Sequence, residues 1–542
     1  MAGPGGALAP TPHGTRRDNL EAIVVAFILA LCIRHYAMEA FVIPTGSMAT
    51  TLLGAHLDVA CTNCGKEQPV SDNFARSERG PHGGRLLVET CPDCGAHVVV
   101  TAPASAAREP LEVTCRTCKR RLTLDPRPLC SNCGYSLEEA IAKVDRGLWP
   151  FGGVSRGDRI LVDKMSYKVG RPERFDVLVF KFPLNPQQSY IKRLLGLSGE
   201  LVALRAGDVF VDGAIARKPR RVQERLWRPV HESRYAERDG GGPRGPAFKT
   251  AGGGSFEPVA GGFRGRSDGA DAWLVYARPI RDLTSYNEPP RNGGDRILRD
   301  IRVVFDATIR RPGERTGPAE GIIGRLSADD DAFTFLYPLA GGQAELRHGD
   351  AAVATSAVPA LPTAEAVRFD FGRADARITL DVDGKTIFEH DIEPADRDPR
   401  RSEVRFGLRG HPLEATFTEV GVYRDVYYAH GRIDLQTTTP GRPLDRELIH
   451  AAVLQGQLPG YLKTSVERIL TKHLRAAFGR RDLKLELPYG VAPGYCFVVG
   501  DNSSNSTDGR YWGVVPVSHL VGRAYVVFWP ALPGDFAVRP VR

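Results

Sequence analysis

Alternating apolar and polar positions run through most of this chain, and they predict a mainly β protein. Strand-like runs such as "DRILVDKM", "FDVLVFKFP" and "ELVALRAGDVFVDG" lie between residues 156 and 218 and are broken by glycine and proline. A second series, including "IRVVFDATI", "AVRFDFG" and "ARITLDVDGKTIFEH", recurs at the spacing of a β-sandwich over residues 256–430. The glycine-rich stretch "AERDGGGPRGPAFKTAGGGS" that precedes it predicts a linker. We therefore expect antiparallel sheets. Alternating strand–helix units do not fit this pattern.

The N-terminal region departs from this pattern. An uninterrupted apolar run extends from Ala22 to Ile33, and a mostly apolar stretch resumes after Arg34, whose long side chain can snorkel. We interpret residues 19–40 as a transmembrane helix, although the 12-residue run also suits a cleavable signal peptide or a buried soluble helix. The two arginines at 16–17 would then keep residues 1–18 in the cytoplasm and place the rest of the chain outside.

Composition and charge narrow the class of protein further. A chain of 542 residues predicts three or four folded units, and 42% hydrophobic with 25% charged residues is typical of globular domains. The net charge of +8 is spread along the chain and is not gathered into one basic stripe with aromatic residues between. We therefore expect no nucleic-acid partner, and the positive excess suits an anionic membrane surface better.

Ten cysteines are present, and eight of them form four C-x-x-C pairs, each able to turn two thiolates toward one ion. Gly65, Gly95 and Gly134 follow three of these pairs and allow the backbone to turn tightly beneath the metal. We predict two structural zinc ribbons in residues 61–140, the first two pairs forming one and the last two the other. Disulfides are the alternative, because an extracytoplasmic location favours oxidation. The eight candidate ligands are Cys61, Cys64, Cys91, Cys94, Cys115, Cys118, Cys130 and Cys133.

Two residues are candidates for nucleophilic chemistry. Ser47 follows a proline, a threonine and a glycine in "FVIPTGSM", directly after the apolar N-terminal segment. Lys192 lies in the strand-like run "SYIKRLLGL", where apolar neighbours would desolvate its amine and favour the neutral, basic form. Each has an ordinary alternative, a turn serine and a solvated strand lysine. No histidine has a Ser/His/Asp context, and neither G-x-S-x-G nor H-E-x-x-H is present.

Four motifs in order after the apolar segment resemble bacterial type I signal peptidase. They are "FVIPTGSM", "GDRILVDKMSY", "FDVLVFKFP…YIKRLLGLSGE" and "GDNSSNSTDGRYWGVVP…LVGRAYVVFWP", and together they span about 200 residues. The resemblance implies a membrane-bound serine endopeptidase that removes signal peptides from exported preproteins after Ala-x-Ala, using a Ser/Lys dyad without a catalytic cofactor. It also implies location in the bacterial inner membrane, as a single-pass protein with an extracytoplasmic catalytic domain.

Carried over residue by residue, the resemblance gives each motif a role. Ser47 is the expected nucleophile and Lys192 the general base. The Thr45 hydroxyl is expected to join the Ser47 amide in an oxyanion hole, and Ser506 to orient the lysine. Asp508 and Arg510 match an ion pair that supports the last motif. The walls of the shallow substrate pockets are expected to be Phe41, Ile43, Pro44 and Ile191.

The resulting organisation places two insertions within a divided catalytic core. The predicted segments are a cytoplasmic tail (1–18), the transmembrane helix (19–40), catalytic core (41–60), zinc ribbons (61–140), catalytic core (150–235), a β-sandwich of jelly-roll type (256–430), a helical segment (443–480) and catalytic core (485–542). In its strand pattern the sandwich resembles the laminin-G or concanavalin-type jelly roll found in many bacterial surface proteins, and the pattern names no ligand residue. Such sandwiches often bind sugars, and a structural or docking role is the alternative. We expect the sandwich to be an accessory unit that can be excised without loss of cleavage.

Expected partners are signal peptides and membrane lipid, with the protein export machinery as a further candidate. One alternative function is a membrane-anchored surface binding protein built on a degenerate peptidase scaffold. Retention of Ser47, Lys192, Thr45 and Ser506 argues against it. Another alternative, a soluble self-cleaving Ser/Lys regulator, is disfavoured by the apolar run that precedes Ser47.

Overall fold

The structure is a computed structural model of the whole chain. It describes residues 16–71, 85–90, 97–102, 111–119, 121–124, 128–145, 155, 157–183, 185–235, 237–238, 245–282, 286, 296–310, 320–410, 412–429, 489–491, 493–529 and 539–541. The predicted helical segment at 443–480 lies outside these residues. Within them the protein is mainly β, which confirms the predicted fold class.

The N-terminal segment does not form the predicted transmembrane helix. Helix α1 (Arg16–Cys32) has 17 residues, a π-turn follows at Ile33–Ala37, and Met38–Val42 is already strand β1. At 1.5 Å per residue, α1 is about 25 Å long, below the roughly 30 Å of a bilayer core. No helix in the described part of the chain is both long and apolar enough to cross a membrane. The prediction of a single-pass inner-membrane protein is therefore wrong for this structure.

The cysteine-rich region between the nucleophile motif and residue 145 consists of short antiparallel hairpins and one helix. These elements are β2 (His56–Ala60), β3 (Glu67–Ser71), β4 (Arg85–Thr90), β5 (His97–Ala102), β6 (Leu111–Thr114), β7 (Arg121–Leu124) and α2 (Glu138–Asp145). Strands pair in sequence order, β2 with β3, β4 with β5 and β6 with β7. We call residues 56–145 the ribbon region.

The next region carries the predicted lysine strand. It comprises β8 (Arg159–Asp163), α3 (Ser166–Val169), β9 (Val177–Phe182), β10 (Asn185–Gly196), β11 (Leu201–Arg205), β12 (Asp208–Val211), β13 (Ala214–Ile215) and α4 (Arg220–Leu226). The C-terminal region adds β27 (Tyr489–Gly490), β28 (Tyr495–Val499), α5 (Gly509–Trp512), β29 (Val515–Pro516), β30 (Leu520–Trp529) and β31 (Arg539–Pro540).

These two regions and the N-terminus interleave in one antiparallel sheet, which we name the catalytic sheet after the predicted general base Lys192 on β10. Its order is β1-β8-β30-β9-β10-β28-β29, with β31 on β30. A small second sheet follows the order β13-β12-β11-β27. Strands from the beginning, middle and end of the chain are therefore neighbours, which brings the separated sequence motifs together.

The sandwich is a single antiparallel sheet of 13 strands that folds back on itself. Its strands are β14 (Arg228–Glu232), β15 (Phe248–Val259), β16 (Gly262–Tyr276), β17 (Ile301–Arg310), β18 (Gly321–Ala328), β19 (Asp331–Pro338), β20 (Gly342–His348), β21 (Ala351–Val358), β22 (Ala366–Ala374), β23 (Arg377–Val382), β24 (Lys385–Asp391), β25 (Ser402–Arg409) and β26 (Leu413–Arg424). The main path of the sheet ends at β21 and β24, which contact each other. The inner face of the folded sheet encloses one apolar core rich in phenylalanine.

The sandwich begins earlier than the sequence predicts. Strand β14 pairs with β26, and the glycine-rich stretch interpreted as a linker enters β15, which pairs with β16. Glycine suits this position because a Cβ at Gly254 would lie 2.2 Å from the carbonyl oxygen of Arg266. The unit therefore runs from residue 228 to residue 424. Its first and last strands are neighbours, with Arg228 opposite Arg424.

A buried ionic cluster joins the sandwich to the small sheet. Lys218 Nζ contacts Asp375 and lies 2.9 Å from Asp425 Oδ2. Carboxylate oxygens of Asp208, Asp300 and Asp375 lie within 4.8 Å of one another. Burial and the neighbouring carboxylates raise the pKa of Asp208 far above its usual range, and Lys218 provides the compensating positive charge. Lys218 is therefore the cation in direct contact with two of the buried carboxylates at this junction.

Replacing Lys218 should destabilise the protein, whereas neutralising Asp208 should not. Lys218→Met leaves buried carboxylates without their cation and should cost roughly 3–5 kcal/mol of unfolding free energy. Asp208→Asn removes a carboxylate that burial makes costly to ionise. This substitution should therefore leave the free energy of unfolding unchanged or increase it. The gain in stability should be larger at pH 8 than at pH 5. A carboxyl whose pKa is raised in the folded state lowers the free energy of unfolding progressively as pH rises, and the asparagine removes this loss.

Denaturant unfolding at both pH values measures these effects, with exposed Lys385→Met as the matched lysine control. Equal losses for Lys218→Met and Lys385→Met would contradict the role of the cluster.

Candidate active site

The turn that carries Ser47 is short and is anchored by the residues on either side of it. The chain leaves β1, and the amide of Ile43 donates to the carbonyl of Asp158 at 2.8 Å before a single 3₁₀ turn forms at Gly46–Met48. Met48 and Leu52 are fully buried in the same apolar cluster as Ile43. Ser47 itself is half-buried. The flanking apolar side chains thus fix a turn whose hydroxyl stays at the surface of the catalytic sheet.

Lys192 contacts Ser47 directly. On β10, its Nζ lies 2.7 Å from Ser47 Oγ and also donates to the carbonyl of Ile191 at 2.9 Å. The side chain is buried, and burial lowers the pKa of Lys192 to about 8, despite the opposing charges of Asp508 and Asp501. A substantial fraction of the amine is therefore neutral slightly above physiological pH, and a neutral amine can accept the hydroxyl proton.

The C-terminal motif holds the Ser47 turn through its backbone. The side-chain amide of Asn502 donates to the carbonyl of Gly46 at 2.9 Å, and its main-chain N–H donates to the carbonyl of Ser47 at 3.1 Å. Gly500 permits this approach, since a Cβ there would lie 2.4 Å from the Ser47 carbonyl oxygen. The turn is thus fastened to the segment that precedes Ser506.

Asp501 is the centre of a buried network that sequence reasoning missed. Arg193, next to Lys192, donates to both its carboxylate oxygens at 2.7 and 2.6 Å. Thr51, four residues after Ser47, donates to Oδ2 at 2.5 Å, and Tyr428 donates to Oδ1 at 3.1 Å. Although burial opposes ionisation, the Arg193 guanidinium keeps the pKa of Asp501 below its usual range. The network ties the Ser47 turn to the lysine strand.

Asp508 and Arg510 lie together, as the sequence predicts. Arg510 Nε and Nη2 each donate to one Asp508 oxygen at 2.8 Å, and both side chains are buried. Asp508 also caps α5 and accepts from the amide of Gly500 at 2.9 Å. Ser503 accepts a hydrogen bond from Arg510 at 2.7 Å. The pair therefore shapes the same loop that holds the Ser47 turn.

Ser506 does not make its expected hydrogen bond to Lys192. Its hydroxyl oxygen is buried and has no hydrogen-bond partner within the described part of the chain. It is nevertheless close to the site, since a Cβ on Gly500 would lie 2.3 Å from Ser506 Oγ and 2.4 Å from the Ser47 carbonyl oxygen. The lysine amine is instead oriented by the carbonyl of Ile191 and by Ser47.

Only some of the other residues expected around the dyad lie together in one cluster. Phe41, Ile43 and Ile191 belong to one apolar cluster beside the Ser47 turn, whereas Pro44 is exposed. Thr45 is also exposed and lies at the N-terminal end of the turn, where its side chain makes no capping hydrogen bond. The Thr45 hydroxyl is therefore accessible from solvent.

A second candidate site, the outer cysteine site, is formed by Cys61, Cys64, Cys130 and Cys133. Their sulfur atoms lie within 4.8 Å of one another, with two pairs at 3.6 Å. A tetrahedral zinc ion with Zn–S bonds of 2.3 Å separates its sulfurs by about 3.8 Å, whereas a disulfide needs about 2.05 Å. The four thiols therefore fit a structural zinc ion. When bound, the ion would clamp the two knuckles together.

The predicted pairing of the cysteine motifs is wrong. The first pair meets the last one, while Cys115 and Cys118 lie outside the outer cysteine site. Cys91 and Cys94 lie outside the described residues. The turns themselves follow the prediction, since Gly65 and Gly134 have φ of +75° and +71°. Spacing alone could not choose between consecutive and nested pairing, because both arrangements close similar turns.

Two stretches of the chain, residues 153–239 and 438–529, match the family model described as "Signal peptidase, peptidase S26". Together they cover about a third of the chain, and most of the sandwich lies between them. The first stretch contains Lys192 and the second contains the Asp501–Arg510 loop, whereas Ser47 precedes both.

Similar sequences named signal peptidase I occur in several bacteria. The Pseudomonas fluorescens protein is 40% identical over 70 residues, covering 10% of this chain and 25% of the relative. The Bacillus caldolyticus protein is 34% identical over 76 residues, covering 14% and 37%. The chain thus spans a quarter to somewhat over a third of the length of these curated relatives. The matches support a peptidase of the signal peptidase type.

Solved structures similar to this chain align at low scores. The carbohydrate-binding module CBM66 from Bacillus subtilis covers 32% of this chain and 94% of its own, with 15% identity and a TM-score of 0.22. A Bacillus subtilis protein with a galectin-like fold covers 37% and 98%, with 12% identity and a TM-score of 0.26. These values assign no ligand to the sandwich.

We expect zinc in the outer cysteine site. Cys61→Ser and Cys130→Ser should each remove one zinc ion per chain from the two expected in total, because three thiolates bind the ion more weakly than four. Elemental analysis of purified protein measures the loss. Cys496→Ser is the matched control, since Cys496 is buried but lies outside the site. A disulfide between any two of the four cysteines, found by mass spectrometry, would contradict the prediction.

Proposed function

We propose that this chain is a serine endopeptidase that removes N-terminal signal peptides from exported preproteins, with Ser47 as nucleophile and Lys192 as general base. The observation that carries the proposal is the 2.7 Å contact between Lys192 Nζ and Ser47 Oγ. Two residues separated by 145 positions in the chain meet with the geometry that proton transfer requires. The similarity to signal peptidases I supports the choice of substrate.

The chemistry follows from this contact. Neutral Lys192 takes the proton of Ser47 Oγ while the oxygen attacks the scissile carbonyl, and the resulting ammonium then protonates the leaving amine. Water repeats the sequence on the ester, which releases the carboxylate and regenerates both groups. The developing oxyanion would be held by the Ser47 amide and the exposed Thr45 hydroxyl. Each such donor is typically worth about 3–4 kcal/mol of transition-state stabilisation.

Substrate binding would use the edge of the catalytic sheet. Strand β1 is the first in the sheet order and pairs only with β8 along that order, so its other side can accept an extended peptide. Phe41, Ile43 and Ile191 form an apolar wall nearby, with Pro44 at its exposed end. Shallow apolar pockets favour small side chains, which fits cleavage after Ala-x-Ala.

The alternative, a binding protein on a degenerate peptidase scaffold, has less support. Keeping a lysine buried and in contact with a serine costs desolvation energy that a binding function does not require. The surrounding Asp501 network and the Asp508–Arg510 pair add further buried charges that serve the same small region.

Substitution of either dyad residue should abolish cleavage. Ser47→Ala removes the attacking oxygen, and Lys192→Met removes the base. Lys192→Arg should also fail because a guanidinium does not lose its proton near neutral pH. Cleavage of a synthetic preprotein containing Ala-x-Ala, followed by mass spectrometry of the products, measures this. Lys181→Met, an exposed lysine on neighbouring β9, is the matched control. Near-normal turnover by Lys192→Met would require another base and refute the dyad.

The pH dependence of cleavage should reveal the pKa of Lys192. Burial depresses the pKa of Lys192 to about 8, so the neutral form is gained as pH rises through that value. We expect the acidic limb of kcat/KM to titrate near pH 8, well below the ~10.4 of a free lysine. Rates from pH 5 to 10 on one peptide test this. A limb near pH 6.5 would instead indicate a histidine.

A further inference from the structure

The sandwich reaches the Ser47 turn at Gly46. Tyr286 lies between β16 and β17 and is almost completely buried. A Cβ added to Gly46 would lie 2.2 Å from Tyr286 Cε1 and 2.8 Å from its hydroxyl oxygen. The ring edge therefore occupies the space beside the Gly46 α-carbon, one residue before Ser47. The same ring lies 6.5 Å from that of His56, where the ribbon region begins.

A second contact comes from the first strand of the sandwich. Arg228, on β14, donates from Nη2 to the hydroxyl of Thr51. Thr51 in turn donates to Asp501 Oδ2 at 2.5 Å. The hydroxyl of Thr51 has one proton to donate, so the Arg228 contact fixes its direction toward Asp501. A sandwich residue thereby sets the orientation of a side chain in the segment after the nucleophile.

A third contact comes from the segment that follows the last strand of the sandwich. Tyr428 follows β26, is buried, and donates to Asp501 Oδ1 at 3.1 Å. The next residue, Ala429, donates its amide to Ser503 Oγ at 2.7 Å and accepts from Arg510 Nη1 at 2.8 Å. The first strand of the sandwich and the segment that follows its last strand therefore both enter the network that supports Lys192 and Ser47.

We propose that the sandwich, together with the short segment that follows β26, is a built-in positioning element of the active site, acting through Tyr286 on Gly46, Arg228 on Thr51 and Tyr428 on Asp501. This inference rests on the proposed function and deepens it. None of the three residues touches the reacting atoms, so each acts as a positioning residue. Contacts from β14, from Tyr286 and from the segment after β26 set the turn, which differs from the accessory role expected from the sequence.

The contact at Gly46 allows a suppressor test. Gly46 does not have a positive φ, and the three atoms nearest to its Cβ position all belong to Tyr286. Gly46→Ala should therefore displace the turn and lower kcat about 100-fold, as expected for a shift of about 1 Å. Adding Tyr286→Ala should recover at least tenfold of this loss, whereas adding Tyr337→Phe should recover nothing. No recovery with Tyr286→Ala would overturn the assignment of Tyr286.

The contact at Asp501 allows a matched pair of variants. Tyr428→Phe and Tyr337→Phe each remove one hydroxyl from a buried tyrosine, but Tyr337 donates to the carbonyl of Pro359 inside the sandwich. We expect Tyr428→Phe to lower kcat about fivefold with KM unchanged, the value of one lost hydrogen bond, and Tyr337→Phe to leave both unchanged. Equal effects of the two variants would indicate a purely structural role and overturn the inference.

Amide hydrogen exchange separates this inference from the proposed function. Peptides covering residues 43–52 should exchange faster in Tyr428→Phe than in wild type, with no change in Tyr337→Phe. If the wild-type chain cleaved no preprotein while these exchange rates differed, the proposed function would fall and the positioning contact would stand. If cleavage were normal and exchange and kcat were unaffected by Tyr428→Phe, the positioning role would fall alone.

Discussion

The rest of the active site depends on keeping one lysine amine out of water and without a carboxylate partner. Lys192 is buried, and a carboxylate in contact with it would raise its pKa and keep it charged. Two carboxylates are nevertheless near enough to act on it, Asp508 and Asp501. Each is held by its own arginine, Arg510 for Asp508 and Arg193 for Asp501. The two arginines thus largely compensate the carboxylate charges that would raise the pKa of Lys192. Desolvation therefore determines the protonation state of this lysine.

The proposed nucleophile has the opposite requirement, because Ser47 would have to be accessible to a peptide and still be held in place. Its turn is a single 3₁₀ turn and has few hydrogen bonds of its own. The surrounding residues hold the turn in place. Met48 and Leu52 pack in the apolar core, and Asn502 donates a hydrogen bond to the backbone of the turn. The same need explains the glycines, since Gly46 and Gly500 let other parts of the chain approach where a Cβ would collide.

The sequence allowed residues within short motifs to be found, but it did not reveal partners brought in from far away. Ser47 and Lys192 were predicted from two such motifs, and Asp508 with Arg510 are two positions apart. The Asp501 network joins Thr51, Arg193 and Tyr428, which are separated by more than a hundred residues, so no local pattern connects them. Strand β15 was missed because its glycines resemble a linker, and the apolar run alone could not show that the chain joins the sheet at Met38.

The two insertions are compatible with the proposed catalysis because of where the chain leaves and re-enters the catalytic sheet. Closing a longer loop costs free energy only in proportion to the logarithm of its length, so added residues do little harm if their ends stay close. The ends of the sandwich meet this condition, since Arg228 lies opposite Arg424. The ribbon region is joined in the same way, by backbone hydrogen bonds between His56 and Ser155 in both directions. Both junctions lie against the Ser47 turn, because Gly54 packs on the Thr45 backbone and Arg228 bonds Thr51. The insertions therefore add packing around a turn that cannot be rigid by itself.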